Sequence, residues 1–285
     1  MIDWASEWAT ARRSGPRTGP DEWDERAPSF ASHAADPGYA EQILSLVEPP
    51  RSFSVLDVGS GPGTLAVPFS RRVARVTALD FSPAMLALLR ARCRAEGIVN
   101  VTAVLGSWED DWDELGIPVH DLAIASRSLA VDDLGGALAK LDARAGRVAC
   151  LCTSVGDGPR DRRVFEAVGR PFQPGPDYLN VYGHLRGMGI CADVAVIGRE
   201  EWRVYASPQE AAASMAGMLR GITAAEQARL LSFLEDRLTS CPGGLRLPEP
   251  RLIRWAVIWW RKAGPGAPGG WRRLHCPHPD AEDGS

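Results

Sequence analysis

From residue 53 the chain alternates between two patterns. "SFSVLDVG" reads as a strand and "GTLAVPFSRRV" as a helix holding Pro68. "RVTALDFS" is a second strand. "SPAMLALLRARCRAEG" is a helix with Ser82 as N-cap, Pro83 at the first helical position and Gly97 as C-cap. "VTAVLGS" and "HDLAIASRS" are the third and fourth strands, "LGGALAKLDARAG" the next helix and "RVACLCTS" the fifth strand. Such alternation builds a parallel sheet covered on both faces, so the expected class is α/β and doubly wound. With 285 residues, 45% of them hydrophobic, the chain can bury a full core.

The flanks read differently. In residues 1–50, Trp4 and Trp8 share a helix face at i, i+4, and Asp21 is expected as an N-cap with Trp23 and Phe30 on the apolar side. "YAEQILSLV" is a helix that Pro49-Pro50 stops. Residues 156–177 read as a loop, "DYLNVYGHLRGMG" as a helix, and "ADVAVIG" and "EWRVYA" as strands. "SPQEAAASMAGMLRG" and "TAAEQARLLSFLEDRL" are amphipathic helices with Ser or Thr caps, and "RLIRWAVIWWRK" is a final strand. The tail from Gly264 has the composition of a disordered segment. The expected organisation is a helical segment 1–50, a domain 51–263 with a helical insertion at about 207–240, and a tail 264–285.

Charge and composition narrow the function. A net charge of −4 and a pI near 5.8 lack the basic stripe of a nucleic-acid binder. The N-terminus lacks a signal peptide's apolar core, and "WAVIWW" is too short to span a bilayer, so no membrane partner is expected and the location expected is cytoplasmic. Six cysteines, at 93, 150, 152, 191, 241 and 276, show no C-x-x-C spacing and are expected as free thiols; Cys150 and Cys152 fall on one strand face as packing residues. "HCPHP" offers His275, Cys276 and His278, too few ligands for a zinc site, and no metal is expected.

The turn after the first strand, "VLDVGSGPG", carries the chemistry. Glycines at 59, 61 and 63 serve positive φ or close approach of a ligand, and they lead into a helix N-terminus. A phosphate loop requires Lys-Ser/Thr after the last glycine, whereas Gly63 is followed by Thr64 and Leu65. A dinucleotide fingerprint requires G-x-G-x-x-G, and here the third glycine comes one residue early. Asp80 ends the second strand, where a carboxylate can accept from both ribose hydroxyls.

"LDVGSGPG" resembles the first motif of class I S-adenosylmethionine-dependent methyltransferases, and the likeness runs over roughly residues 23–262. The resemblance implies a seven-stranded, mostly parallel sheet whose last strand is antiparallel, an N-terminal helical lid and a helical insertion before that strand. It implies S-adenosylmethionine as cofactor, held by Asp57, Gly59, Ser60, Gly61, Gly63, Asp80, Phe81, Met85, Ser107, Trp108, Glu109 and Ser126. In that scheme Asp57 lies near the methionine amino group and Asp80 on the ribose. Phe81 lies beside the adenine, Trp108 flanks it, and Glu109 or Asp110 reaches its exocyclic amine. Ser126 and Arg127 stand at the methyl-transfer mouth. The fourth strand ends in Ala125-Ser126-Arg127-Ser128 rather than the Asn/Asp-Pro-Pro-aromatic motif of amino-methylating enzymes, and Pro62 removes one donor from the glycine turn.

The expected acceptor is a small molecule. Acceptor-side candidates are His33 and Tyr39 near Trp23 and Arg26, then Tyr182 and His184 on the helix after the fifth strand, with Met215 and Met218 on the insertion. A general base is optional, because the donor is already activated and alignment does most of the work. Two alternatives stay open: a non-catalytic S-adenosylmethionine- or nucleotide-binding protein, and an NAD(P)-dependent oxidoreductase.

Overall fold

β1 (Ser54–Val58) is buried along its whole length. It lies inside a seven-stranded sheet in this computed structural model, which describes residues 3–13, 19–33 and 37–262. Its neighbours are β2 (Arg75–Asp80) and β4 (His120–Ser126), both parallel to it, with Asp57 beside Ala78 on one side and Ile124 on the other. β3 (Val101–Leu105) extends the sheet beyond β2, and β5 (Ala145–Ser154) beyond β4, again in parallel. β6 (Asp193–Glu201) is the far edge. β7 (Thr239–Cys241) and β8 (Gly244–Arg246) form a separate hairpin, and β9 (Arg251–Arg261) enters between β5 and β6. The sheet order is β3-β2-β1-β4-β5-β9-β6. Val155 N–H donates to Arg254 O at 3.3 Å and Lys262 N–H to Arg147 O at 2.7 Å. Numbers fall on β9 as they rise on β5, so β9 runs antiparallel, as the resemblance implied. The order reverses between β1 and β4, the switch point at which open α/β sheets bind ligands.

Three helices precede the sheet: α1 (Trp4–Arg13), α2 (Pro20–His33) and α3 (Pro37–Val47). α2 starts at Pro20, so Asp21 sits in its first turn rather than at its N-cap; the fixed φ of proline suits it to the opening position. α4 (Ala66–Ser70) is only five residues long and holds Pro68, shorter than the apolar pattern suggested. α5 (Pro83–Ala95) has Ser82 as N-cap, its Oγ accepting from Met85 N–H at 3.0 Å; its C-cap is Glu96, with Gly97 next at φ +66°. α6 (Leu134–Arg144) joins β4 to β5.

The chain divides into two bodies. One comprises Met1–Thr153, Pro176–Ile197 and Ala256–Ser285, the other Ser154–Gly175 and Gly198–Trp255. The second takes in most of what reads as loop and insertion. α7 (Arg162–Val168) forms where a loop was expected, because Asp161 caps it and Gly169 ends it at φ +76°. α8 (Tyr178–Gly187) belongs to the first body, and α9 (Pro208–Ala216) and α10 (Ala224–Arg237) to the second. α9 ends at Ala216, five residues short of the apolar pattern. "EWRVYA" is not a strand of its own: β6 runs to Glu201, and Tyr205 makes an isolated bridge with Leu245. The second body packs Val164 and Phe165 of α7 against Met215 of α9 and Leu230 and Leu234 of α10. Arg170 joins it by pairing with Glu226 at 2.6 Å and donating to the carbonyls of Arg220 and Gly221.

Cys93, Cys150, Cys152 and Cys241 are free thiols, and the expectation is corrected at Cys191, which is disulfide-bonded. No spacing rule reveals such a pairing, because it depends on the fold. Gly264 to Ser285, with "HCPHP", lie outside the described residues.

Candidate active site

The glycine turn is stapled to its neighbouring strand. Gly59 and Ser60 N–H groups both donate to Leu79 O, at 2.8 and 3.0 Å, and Gly63 N–H donates to Ser60 O at 3.1 Å. All three glycines have positive φ. They serve different ends. A Cβ on Gly59 would stand 2.2 Å from Ser128 Cβ, and one on Gly63 would stand 2.6 Å from Leu89 Cδ1, so both are demanded by packing. A Cβ on Gly61 would meet nothing within 4 Å. Gly61 therefore faces open space, the room a ligand needs.

Asp80 braces the same turn. One carboxylate oxygen accepts from Gly61 N–H at 2.7 Å and the other from Ser82 N–H at 2.9 Å. Burial pushes its pKa up, the Ser82 and Gly61 donors pull it down, and the charge of Asp24 adds to the rise. Asp24 reaches in from α2, accepting from Ser82 Oγ and, at 3.3 Å, from Ala84 N–H. Each carboxylate oxygen of Asp80 retains a lone pair for a further donor.

Asp57 is 1% exposed, and one of its oxygens finds no partner among the described residues. Burial first, and then the charge of Asp80, lift its pKa to about 7, against the opposing pull of Ala66 N–H and Arg127. Ser60 Oγ is likewise buried and unpartnered. Two orphaned polar atoms on one glycine turn are unusual, because buried polar groups are nearly always satisfied. A ligand that is cationic at one end and hydrogen-bonding beside it would satisfy both. The methionine tail of S-adenosylmethionine has that chemistry, so the residues present fit the cofactor.

Around the turn, the loops after β3 and β4 interlock. Ser128 Oγ donates to Val58 O at 2.6 Å, and Trp108 Nε1 donates to Ser128 O at 2.9 Å. Trp108 stacks in a tilted pair with Trp112, centroids 5.4 Å apart, and Trp112 Nε1 donates to Ser107 O. Lys140 of α6 donates to the carbonyls of Trp108 and Asp110. Asp110's carboxylate accepts from Ser107 N–H at 2.7 Å, whereas Glu109 is exposed. Ser128 and Lys140 escaped the sequence reading. The only signal for Ser128 was its place two residues after Ser126.

At the ends of β4 and β5 stands a second cluster. Tyr39 of α3 lies 2.6 Å from Ser126 Oγ and donates to Cys152 Sγ at 2.9 Å. Arg127, at φ +58°, sets its guanidinium 4.4 Å from the Tyr39 ring centroid. Burial, above all, drives the Tyr39 phenol well above its usual value and the Cys152 thiol to about 11. Both hold their protons at neutral pH.

Of the other acceptor-side residues, Trp23 and Arg26 face each other on α2 at 5.6 Å. His33 ends α2, and its side chain lies outside the described residues. Tyr182 and His184 are half-buried on α8, which packs against α1 and α6, with Trp4 seated over Gly183. His184 Nδ1 donates to Asn180 O of its own helix at 3.0 Å. The main contacts of α8 are thus with helices rather than with the glycine turn. Phe81 is half-buried at the end of β2, and Met85 is buried on α5. Among the described residues no group of three or more His, Cys, Asp or Glu could hold a metal ion.

A family model described as a methyltransferase domain matches residues 55–155. An uncharacterised protein of Haemophilus influenzae is 32% identical over 247 residues, 85% of this chain and 89% of that one. Residues 55–155 are a methyltransferase domain, and the fold around them agrees with the class I S-adenosylmethionine-dependent methyltransferases that the motifs resemble. Solved structures share its fold. The solved YcgJ protein of Bacillus subtilis aligns with a TM-score of 0.53 at 15% identity, covering 82% of this chain and all of that one. A Bacillus halodurans protein assigned as a methyltransferase aligns at 0.54 and 13%, covering 79% and 99%. A ubiquinone biosynthesis O-methyltransferase of Xanthomonas axonopodis pv. citri is 34% identical over 76 residues, 27% of this chain and 31% of its own length.

Proposed function

We propose that this methyltransferase binds S-adenosylmethionine on the β1 turn and transfers its methyl group to a small-molecule acceptor. The observation that carries the reading is the pair of orphaned buried atoms, Asp57 Oδ2 and Ser60 Oγ, on a turn where Gly61 leaves open space. Asp57, Gly59, Ser60, Gly61 and Gly63 would hold the methionine tail and Asp80 the ribose. Phe81, Met85, Ser107, Trp108 and Glu109 would hold the adenine, with Ser126 at the mouth. When bound, the cofactor supplies an activated methyl on a sulfonium, open to in-line displacement.

The chain's own residues contribute alignment and exclusion of water. Asp57 neutralises a cationic amino group once its proton has left. Tyr39, held between Ser126 and Cys152, is a hydrogen-bonding and positioning group rather than a base, because burial keeps it protonated. The N-terminal helices act as a lid: Asp24 ties α2 to the start of α5, Tyr39 ties α3 to Ser126, and Trp8 Nε1 ties α1 to Val131 O at 3.0 Å. A small acceptor is supported by the absence of a basic stripe in the sequence and by the partial likeness to a ubiquinone biosynthesis O-methyltransferase.

Calorimetry with S-adenosylhomocysteine and with NAD tests the cofactor. Binding of the first and not the second is expected, and the reverse overturns the reading. Labelled methyl transfer into the small-molecule fraction of a cell extract tests the acceptor. Label that appears only in protein or nucleic acid refutes a small acceptor.

A further inference from the structure

The backbone of Trp108 is gripped on both sides. The peptide before it presents the Ser107 carbonyl, which accepts from Trp112 Nε1 at 2.8 Å. The peptide after it presents the Trp108 carbonyl, which accepts from Lys140 Nζ at 2.7 Å. The same ammonium donates to the Asp110 carbonyl at 2.8 Å. The two holders also support each other, because Lys140 Nζ lies 5.1 Å from the Trp112 ring centroid, within cation–π range. Trp112 is 1% exposed, so its indole is a fixed anchor under the loop.

The neighbouring amides spend their hydrogen bonds locally. Gly106 N–H donates to Asp80 O at 3.0 Å, which ties the loop to the end of β2. Ser107 N–H donates to the Asp110 carboxylate at 2.7 Å. Glu109 and Asp110 N–H groups donate to Ser107 Oγ at 3.1 and 3.3 Å. Trp108 N–H alone among these five donates to no described atom.

Its direction follows from the peptide plane. A trans peptide sets its C=O and N–H on opposite sides. Trp112 draws the Ser107 carbonyl toward itself, and so turns the Trp108 N–H away from the buried indole. That donor stands on a loop joined to Asp80, the residue assigned to the ribose.

We propose that Trp112 and Lys140 are positioning residues for the cofactor's base: by fixing the peptides on both sides of Trp108, they hold its N–H to donate to a ring nitrogen of the adenine. This rests on the reading that S-adenosylmethionine binds with its adenine at Trp108. Neither residue touches a reacting atom. A donor fixed in advance loses little freedom on binding, and it favours a base with an acceptor nitrogen at that point.

Calorimetry of the full chain with S-adenosylhomocysteine and its 1-deaza, 3-deaza and 7-deaza analogues tests the proposal. Each analogue replaces one ring nitrogen with CH. The wild type is expected to bind one of them about tenfold more weakly than the parent, the worth of one hydrogen bond. Trp112→Phe keeps an aromatic ring and removes the donor, and Lys140→Met keeps the chain length and removes the ammonium. In each variant that analogue's deficit should shrink to about threefold or less, because the N–H is no longer held. Equal binding of all four ligands by the wild type overturns the proposal. So does a uniform loss of affinity that leaves the deficit in place, the mark of a purely structural role. If circular dichroism shows that Trp112→Phe does not fold, Lys140→Met, at a half-buried position on α6, decides alone. Failure of the wild type to bind S-adenosylhomocysteine refutes the cofactor reading and this proposal with it, whereas binding with an unchanged deficit refutes this proposal only.

Discussion

Asp57→Asn should stabilise the ligand-free protein and weaken cofactor binding together. Raising the Asp57 carboxyl from 3.8 to about 7 favours its protonated form by about 4 kcal/mol. The folded state keeps this proton to higher pH than the unfolded state does. Between about pH 4 and pH 7 the unfolded chain therefore binds fewer protons, and stability falls as pH rises; above pH 7 the full cost is present. About 2–3 kcal/mol of it falls between pH 5 and pH 8. The Asn variant lacks this slope. Urea unfolding of both proteins at the two pH values isolates the group, because other titrations cancel in the comparison. The ligand arm follows from the same proton. At pH 6 roughly nine-tenths of Asp57 is protonated without ligand, and pairing with an ammonium must expel that proton. Calorimetry of S-adenosylhomocysteine in buffers of different ionisation enthalpy should show proton release at pH 6 that Asp57→Asn abolishes. The variant's affinity should fall by about 1.5–3 kcal/mol, the worth of a charged hydrogen bond. Unchanged affinity, or equal pH slopes of stability in the two proteins, refutes the reasoning.

Asp80→Ala should cost about 1.5–3 kcal/mol of cofactor affinity in calorimetry and also release Gly61 N–H, so faster amide exchange at Gly61 is expected in the ligand-free variant; a protected Gly61 would show that Asp80 does not brace the turn. Gly61→Ala should fold at a strain cost of about 1–2 kcal/mol, set by its φ of +54°, and bind S-adenosylhomocysteine more weakly. Gly59→Ala should be more damaging to thermal stability, because its Cβ meets Ser128 at 2.2 Å; a smaller loss than for Gly61→Ala contradicts that assignment. Tyr39→Phe should lower stability by about 1 kcal/mol through lost bonds to Ser126 and Cys152 while leaving the acid side of the rate–pH profile unchanged; a shifted profile would make Tyr39 a proton carrier after all.

Much of the sheet was legible because its rule is local: apolar strands, capped helices and a glycine turn recur in chain order. Ser82 was readable as a cap for that reason, and β9 as the last strand. What failed to show depends on contacts between distant residues. α7 hides in a run of Gly, Pro and Arg, since only the Asp161 cap and the packing of Val164 and Phe165 reveal it. The β7–β8 hairpin has strands of three residues, too short to carry a period. In the site, the motif residues were found, but not the work that Asp80 and Ser128 do within the turn, because a hydrogen bond across 19 or 70 residues leaves no mark on spacing.

The two carboxylates at the ends of β1 and β2 show why a folded protein would keep such a site. The charge of Asp80 raises the pKa of Asp57, and the charge of Asp24 does the same to Asp80. Three acids gathered at one sheet end oppose folding; Asp80 is repaid by the turn it braces, and Asp24 by its bonds from Ser82 and Ala84. Asp57 gains little from the chain itself: one backbone donor, an oxygen left without a partner, and a proton held against its ordinary chemistry. A residue that costs the empty protein so much is explained by what it does when the site is filled. The same logic sets the order of sensitivity: substitutions at Gly59 and Gly63 should strike the fold, substitutions at Gly61 and Asp57 the ligand, and Asp80 both.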